Sequence, residues 1–250
     1  MSPIPVGVQL YSVREDCARD LPGTLKAIAQ MGYDGVEFAG FYGHSARELR
    51  QWLDENGLKC CGAHIPLSDL SDETFHQTVE FHLELGNPYL VIPWISEEFR
   101  ASRTAWIKTA EWFSHLAERL EPYGLRLGYH NHDFEFDWMD GEVQFDIFFS
   151  AVSPKVFMQL DTGNAMHGSA DPLEYLQRYS DKAVTIHLKE YSSKNPSALP
   201  GEGEVPWQDV FALCECCEVT EWYIVEQEQY SMPPLETIAR CREILRKMGR

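Results

Sequence analysis

The fold is decided by the stretch Gly128-Tyr129-His130-Asn131-His132, which closes an apolar run that begins at Leu125. Its two histidines are two residues apart, so the alternation of a β-strand places both imidazoles on the same face. Three later segments repeat the pattern of an apolar run that ends on a residue able to bind a metal: Val156–Asp161, Ala183–His187 and Trp222–Glu226. If these runs are neighbouring strands of one parallel sheet, their carboxyl ends converge on a volume where a divalent cation fits. The candidate ligands at the four ends are His130, Asp161, His187 and Glu226.

The remainder of the chain alternates between strand and helix patterns. Before the central stretch, four further apolar runs predict strands: Val6–Tyr11, Gly35–Phe38, Gly57–His64 and Tyr89–Pro93. Helical patterns are predicted at Leu21–Met31, Ser45–Gly57, Ser71–Leu85, Ser102–Tyr123 and Phe145–Phe148, and from Asp171, Trp207 and Pro233 onward. Eight strand–helix units in 250 residues predict an α/β fold, a single (β/α)8 TIM barrel that takes in residues 1–250. A doubly wound nucleotide-binding sheet is disfavoured, because Tyr11-Ser12-Val13-Arg14 stands in place of its glycine-rich first turn.

Composition limits the partners. With 39 acidic against 21 basic side chains, the formal net charge is −18, which disfavours nucleic acid, because binding a phosphate backbone requires clustered Lys and Arg. The first residues lack the pattern of a signal peptide, and no apolar stretch approaches the roughly 18 residues of a membrane span, so we expect a cytoplasmic protein with no membrane contact. Seven cysteines are an odd number for a disulfide framework and are expected to be reduced. A homodimer is left open.

Active sites of such barrels lie at the carboxyl ends of the strands. There the chain carries polar residues that a packed core would not select: Gln9, Glu37, His64, His130, His132, Asp161, His187, Lys189, Glu226 and Glu228. A single His or Asp at a strand end is more often a loop residue than a ligand, and Lys189 could extend to solvent. Ligand residues at four strand ends outweigh this reading, although His130 and His132 both remain candidates for the fifth strand.

Several motifs resemble those of one known family. They are Gly35-Val36-Glu37-Phe38, Tyr129-His130-Asn131-His132, Leu160-Asp161-Thr162-Gly163-Asn164, Ile186-His187-Leu188-Lys189, Gly201-Glu202-Gly203-Glu204-Val205 and Val225-Glu226. In this order, from the first strand to the last helix, they resemble the sugar phosphate isomerase/epimerase family of xylose isomerase-like TIM barrels. The resemblance implies one divalent metal ion, with manganese expected and magnesium, cobalt or zinc as alternatives. It also implies ligands from strands five to eight, which by position are His130, Asp161, His187 and Glu226.

His130 departs from the pattern of that family. The resemblance implies a glutamate at this position, which shares proton transfer with the glutamate of strand eight. With an imidazole there, the ligand set holds two carboxylates instead of three, so the cation is expected to be the stronger Lewis acid. Asn164, which stands where many relatives have a histidine, weakens the two-glutamate relay further.

The expected function is that of a metal-dependent sugar or polyol isomerase or epimerase, which acts on a keto-sugar through an enediolate. The alternative is a lyase or dehydratase of the same fold, similar to inosose dehydratases or to enzymes that eliminate 3-keto-glycosides. A non-catalytic sugar-binding barrel and an apurinic endonuclease are less favoured. Proton transfer is assigned to Glu226 or Lys189, with His132 and Glu37 as candidate acids. The expected contacts with the small-molecule sugar are Tyr11, His64, Trp94, Asn164 and Glu228.

Overall fold

Eight parallel strands form a closed barrel. The computed structural model describes residues 3–250, and within this range the barrel strands are β1 (Val6–Gln9), β2 (Gly35–Phe38), β3 (Lys59–His64), β4 (Tyr89–Ile92), β5 (Arg126–His130), β6 (Val156–Asp161), β7 (Ala183–Leu188) and β8 (Trp222–Val225). Each strand pairs in parallel with the next, and β8 pairs with β1 to close the barrel. The (β/α)8 fold expected from the alternating sequence patterns is confirmed.

Helices connect the strands and cover the outside of the barrel. Over the described range they are α1 (Arg14–Met31), α2 (Ala46–Asn56), α3 (Phe75–Leu85), α4 (Arg103–Leu120), α5 (Gln144–Ala151), α6 (Thr162–His167), α7 (Pro172–Arg178), α8 (Trp207–Cys217) and α9 (Pro234–Lys247). Helix α1 begins earlier than predicted and is kinked at Asp20. Helix α2 begins at a capping box formed by Ser45 and Glu48, and it ends at Gly57, whose φ of 66° favours glycine. In residues 3–250, no helix is long and apolar enough to cross a membrane.

Two local differences from the predicted boundaries shape the site. Strand β1 ends at Gln9, earlier than predicted, because the Gln9 side chain accepts a hydrogen bond from Tyr11 N and starts a 3₁₀ turn over Leu10–Val13. A six-residue helix, α6, follows β6 directly, because the Asp161 carboxylate caps it by accepting a hydrogen bond from Asn164 N. The side chains of Gln9 and Asp161, at the ends of two strands, therefore determine the local structure of the residues that follow them.

The irregular stretch predicted after β5 contains a small antiparallel hairpin, in which Trp138–Met139 pairs with Glu142–Val143. Its turn is the predicted Asp140-Gly141, and these two residues have φ angles of 51° and 85°. Positive φ at both central residues is typical of the tight hairpin turns that Asp-Gly favours. The hairpin carries Trp138, the most exposed large hydrophobic side chain of the described residues.

The inside of the barrel is apolar toward the amino-terminal ends of its strands. A cluster separate from the helix-covered core fills this region: Cys61, Tyr89, Val91, Phe157, Val184, Trp222 and Ile224. Because strand residues alternate, Phe157, Gln159 and Asp161 share one face of β6, and the last two are polar and fully buried. The polar site therefore lies on an apolar floor.

Candidate metal and substrate site

The ends of β5, β6, β7 and β8 bring four buried side chains together. One potential ligand atom from each lies within 4.8 Å of the others, and the four residues are His130, Asp161, His187 and Glu226. Two imidazole nitrogens and two carboxylate oxygens form a donor set that suits zinc or manganese. The structure thus brings together the four ligands expected from the sequence, and it places His130 rather than His132 in the cluster.

Asp161 has one oxygen occupied and one unpartnered. Its Oδ1 accepts a hydrogen bond from Asn164 N at 2.7 Å, and its backbone N–H donates to Asn131 Oδ1 at 2.9 Å. Its buried Oδ2 has no hydrogen-bond partner among the described residues and lies 3.8 Å from His187 Nδ1. Burial raises the pKa of Asp161 to about 7, although Lys189 opposes the shift. An unpartnered buried carboxylate oxygen beside an imidazole nitrogen fits a cation that would bind both atoms.

His187 is held between two carboxylates. Its Nε2 lies 2.6 Å from Glu37 Oε2, and its Nδ1 lies 3.0 Å from Glu226 Oε2. Burial alone would lower the pKa of His187, but Glu37 and Glu226 outweigh it and raise the pKa to about 10. Metal-binding histidines usually donate the other ring N–H to a carboxylate, which is the arrangement that Glu37 provides and which leaves Nδ1 for a metal.

Glu37 lies beneath the cluster and is fully buried. It accepts hydrogen bonds from Gln9 Nε2 and Gln159 Nε2, both at 2.7 Å, and His64 Nε2 lies 3.2 Å from its Oε2. Burial would raise the pKa of Glu37, but His64 and His187 outweigh it and lower the pKa to about 2. An ionised carboxylate with this many donors does not suit the acid role expected for Glu37, and its position instead orients His187.

Lys189 points into the site rather than to solvent. Its Nζ donates a hydrogen bond to Glu228 and lies 3.8 Å from Glu226 Oε2 and 4.0 Å from Asp161 Oδ2, and only 15% of the side chain is exposed. Burial would lower the pKa of Lys189, but these carboxylates outweigh it and raise the pKa. The ammonium group therefore holds a positive charge beside the candidate metal ligands.

His132 lies outside the cluster, although it shares a sequence motif with His130. Burial lowers the pKa of His132, and its buried Nδ1 has no partner in the part of the chain that the structure describes. Its backbone N–H donates to Glu135 Oε2 at 2.8 Å, and the other oxygen of Glu135 accepts from the Tyr129 hydroxyl at 2.6 Å. The loop after β5 is thus fixed by a buried carboxylate, and His132 is directed to the cavity above the cluster.

A cavity of about 550 Å³ opens above the cluster. It is lined by Tyr11, Ala39, Gly40, His64, Ile65, Pro66, Pro93, Trp94, His130, His132, Glu226 and Glu228. Four of the five expected sugar contacts are in this lining. The fifth, Asn164, lies elsewhere: it lines a neighbouring cavity of about 270 Å³, and its Nδ2 donates to Asn131 O at 3.1 Å.

A family model described as a xylose isomerase-like TIM barrel matches residues 25–248 of the chain. The chain belongs to this family. The resemblance that its motifs carry is therefore confirmed.

Three known proteins are similar to this chain over almost its full length. The inosose dehydratase of Geobacillus kaustophilus is 23% identical over 92% of this chain and 89% of its own length. A sugar phosphate isomerase/epimerase from Parabacteroides distasonis has a TM-score of 0.86 and 21% identity, and the match covers 98% of this chain and 96% of that one. The IOLI protein, whose crystal structure holds a zinc atom, has a TM-score of 0.77 and 15% identity over 98% of this chain and 97% of that one.

Three residues of this xylose isomerase-like site were not predicted from the sequence. Gln159 accepts from or donates to His64, His130, Glu37 and Thr185, and so links β6 to four other strands. Asn131 positions the backbone of Asp161, and Glu135 fixes the loop after β5. Alternation with Asp161 along β6 could have identified Gln159 as an inward residue. Neither Asn131 nor Glu135 lies at a position that a strand pattern identifies.

Proposed function

We propose that this protein is a metal-dependent lyase that eliminates water or an alcohol from a keto-sugar or a keto-polyol. The observation that carries the proposal is the set of side chains at the end of β5 and in the loop that follows it. Those that line the cavity are the imidazoles of His130 and His132. Asp133 lines the smaller cavity, and Glu135 is bound to Tyr129 and to the backbone of His132. The β5 side therefore offers imidazoles, whereas the epimerase pattern requires a second carboxylate there.

A cation held by His130, Asp161, His187 and Glu226 would withdraw electron density from the substrate carbonyl and so acidify the neighbouring C–H group. The unpartnered Asp161 Oδ2 supports this assignment, and the zinc atom in the IOLI structure supports a metal in a related barrel. Manganese and zinc both fit a donor set of two nitrogens and two oxygens.

The side chains around the cluster supply the rest of the chemistry. The Lys189 ammonium group holds positive charge 3.8 Å from Glu226 and 4.0 Å from Asp161, where it would stabilise negative charge on the substrate oxygen. His132 lines the cavity, and we assign proton transfer to it. Its imidazole takes the proton from the carbon next to the carbonyl and returns it to the departing oxygen. The C–H and C–O bonds break, a C=C bond forms, and the step is redox-neutral. One imidazole on one face suffices for this reaction.

The relatives support elimination better than the isomerisation that the family resemblance favoured. An inosose dehydratase matches almost the full length of this chain, although at only 23% identity. Epimerisation is the second candidate, because Glu226 and His132 line the same cavity from β8 and β5, and a proton could pass between them. An apurinic endonuclease is disfavoured by the net charge of −18.

The test is a substrate panel of ketoses, inososes and 3-keto-glycosides, incubated with the metal-loaded protein in deuterium oxide. A lyase gives an unsaturated ketone that has lost water or an alcohol, which mass spectrometry and ultraviolet absorbance detect. An epimerase gives a sugar of unchanged composition with deuterium at the carbon next to the carbonyl. His130→Glu should keep the metal and increase deuterium exchange relative to elimination. Epimerised product with no elimination product in the unaltered protein would overturn the proposal.

A further inference from the structure

The cavity above the metal cluster has two unlike parts. Its polar lining comes from the ends of β3, β5 and β8: His64, His130, His132, Glu226 and Glu228. Its other lining residues are apolar or aromatic and follow β1 to β4: Tyr11, Ala39, Gly40, Ile65, Pro66, Pro93 and Trp94. The polar part is the deeper one, because His130 is 2% exposed and Glu226 is 6% exposed. Tyr11 and Trp94 are 42% and 52% exposed, so they lie at the mouth.

Tyr11 and Trp94 leave apolar surface exposed to water, which is unfavourable for the free energy of folding. Over the described range the large exposed hydrophobic side chains are Tyr11, Leu83, Trp94, Tyr123 and Trp138, and two of these five share this one cavity. Aromatic side chains contribute a large apolar area when a partner covers them, and they favour flat partners. A pocket of a few hundred Å³ with an apolar wall and a few convergent polar groups is typical of a site for a ligand larger than one hydrated ion.

Tyr11 is held in place without filling the cavity. Its backbone N–H donates to Gln9 Oε1 at 3.1 Å, and its carbonyl accepts from the Arg14 guanidinium at 3.0 Å. The same guanidinium lies over the Tyr11 ring, 4.4 Å from its centroid, and donates to the Tyr230 hydroxyl at 3.2 Å. Trp94 is flanked in the chain by Pro93 and by the buried Ile95. The contacts of Tyr11 with Arg14 reduce the entropy that its ring loses when a ligand stacks on it.

We infer that Tyr11 and Trp94 form a stacking subsite for the aryl aglycone of a keto-glycoside, so that the departing group is a phenol rather than water. This inference rests on the proposed lyase reaction. The sugar ring would occupy the polar part, with its carbonyl toward the cluster and its glycosidic oxygen toward β1 to β4. His132 accepts the proton from the carbon next to the carbonyl, a C=C bond forms, and the glycosidic C–O bond breaks. Its electron pair stays on oxygen, which takes the proton from His132.

Binding of unreactive glycosides tests the subsite without turnover. Phenyl glucoside, methyl glucoside and cellobiose carry a hydroxyl in place of the ketone, and calorimetry gives their affinities for the metal-loaded protein. We expect phenyl glucoside to bind about 3- to 10-fold more tightly than methyl glucoside, the range expected for one aromatic contact. Trp94→Ala should remove this preference, because phenyl glucoside should lose more affinity than methyl glucoside does. Trp138→Ala, which alters an exposed tryptophan outside the cavity lining, should retain the preference.

Three results would overturn the subsite. They are equal affinity for the phenyl and methyl glucosides, an equal loss of both in Trp94→Ala, or tighter binding of cellobiose than of phenyl glucoside. Tyr11→Leu removes the other ring of the subsite and should also reduce the preference for phenyl glucoside. The substrate panel tests the lyase reaction independently of the subsite. Epimerisation of keto-sugars by a protein that still prefers phenyl glucoside would reject the lyase reaction and retain the aromatic subsite. Elimination from inososes without a phenyl preference would do the reverse.

Discussion

At the scale of single residues, Asp161 belongs both to the fold and to the candidate metal site, because one oxygen caps α6 and the other has no hydrogen-bond partner in residues 3–250. Asp161→Asn separates the two roles, since Asn caps helices as well as Asp does but lacks the negative charge that a cation requires. We expect metal affinity to fall by about 100-fold or more, because loss of a supporting residue alone costs about 10- to 100-fold. Metal analysis and circular dichroism measure the two effects.

Asp171→Asn is the matched control for that prediction. Asp171 also caps a helix, α7, where its side chain accepts a hydrogen bond from Leu173 N at 2.9 Å, but it does not belong to the metal cluster. This variant should keep both its fold and its metal. A full metal content in Asp161→Asn would remove Asp161 from the ligand set.

His82 provides a residue-scale prediction outside the site. It is 1% exposed on α3, Asn87 Nδ2 donates to its Nδ1 at 2.9 Å, and burial lowers its pKa from 6.5 to about 4. Between these two pKa values the unfolded chain binds a proton that the folded chain does not, so stability is present above pH 6.5 and is lost as the pH falls toward 4. The contribution is about 3 kcal/mol at full extent.

Urea unfolding of the native chain and of His82→Gln at pH 7 and pH 5 isolates this effect from that of the carboxylates, which the two proteins share. We expect the difference in the free energy of unfolding between pH 7 and pH 5 to be smaller in His82→Gln, because glutamine does not titrate. If the two proteins lose the same stability between these pH values, His82 does not have the lowered pKa.

At the scale of elements, the segment after β7 depends on one carboxylate. Between Glu190 and Trp207 the described chain has no helix or strand, and the Glu190 side chain accepts hydrogen bonds from Gly201 N at 2.6 Å, Val205 N at 3.1 Å and Trp207 Nε1 at 2.7 Å. A Cβ at Gly203 would lie 2.6 Å from a Glu190 oxygen, so the chain wraps closely around this group. The segment also forms a wall of the smaller cavity.

Glu190→Gln replaces one acceptor oxygen by an NH₂ group that faces N–H donors. We expect the segment to lose about 1–3 kcal/mol of local stability, because charge-assisted hydrogen bonds are lost and N–H donors of the segment are left unpaired. Limited proteolysis should cut this variant faster between residues 190 and 207. Glu118→Gln, on the exposed face of α4, is the control. Equal cleavage rates in the two variants would show that Glu190 does not hold the segment.

The same elements show what the sequence could predict. Apolar runs identified all eight strands, and the polar residues that end four of these runs identified the cluster, because burial and strand alternation are local properties of the chain. Helix α6 was missed, since six residues are too few for a helical period and its start depends on the Asp161 carboxylate. The sequence also predicted an acid role for Glu37, because it could not show which side chains surround this carboxylate. Its donors Gln9, Gln159 and His187 come from other strands and reach Glu37 only when the barrel closes.

At the scale of the whole molecule, the apolar floor of the barrel lies beneath the site. There a small residue on β5, Gly128, is matched in size to a large one on β6, Phe157. A Cβ at Gly128 would lie 2.4 Å from the Phe157 ring, so β5 has no side chain where β6 has a large one. The Arg126 guanidinium lies 5.6 Å from the centroid of the same ring. Because the barrel is closed, neither strand can move away from its neighbour without breaking pairing elsewhere.

This size match predicts strong coupling between the two positions. Gly128→Ala should lower the free energy of unfolding by about 1–3 kcal/mol through overpacking, and Phe157→Leu should lower it by a similar amount through the space it leaves. In the double variant the new methyl group occupies part of that space, so we expect a loss at least about 1 kcal/mol smaller than the sum of the two. Urea unfolding measures all three proteins, and Gly128→Ala combined with Ile238→Val on α9 should be additive, because Ile238 lies in the other core cluster. Additive losses at Gly128 and Phe157 would mean that the floor relaxes independently at each strand and that the two residues are not matched in size.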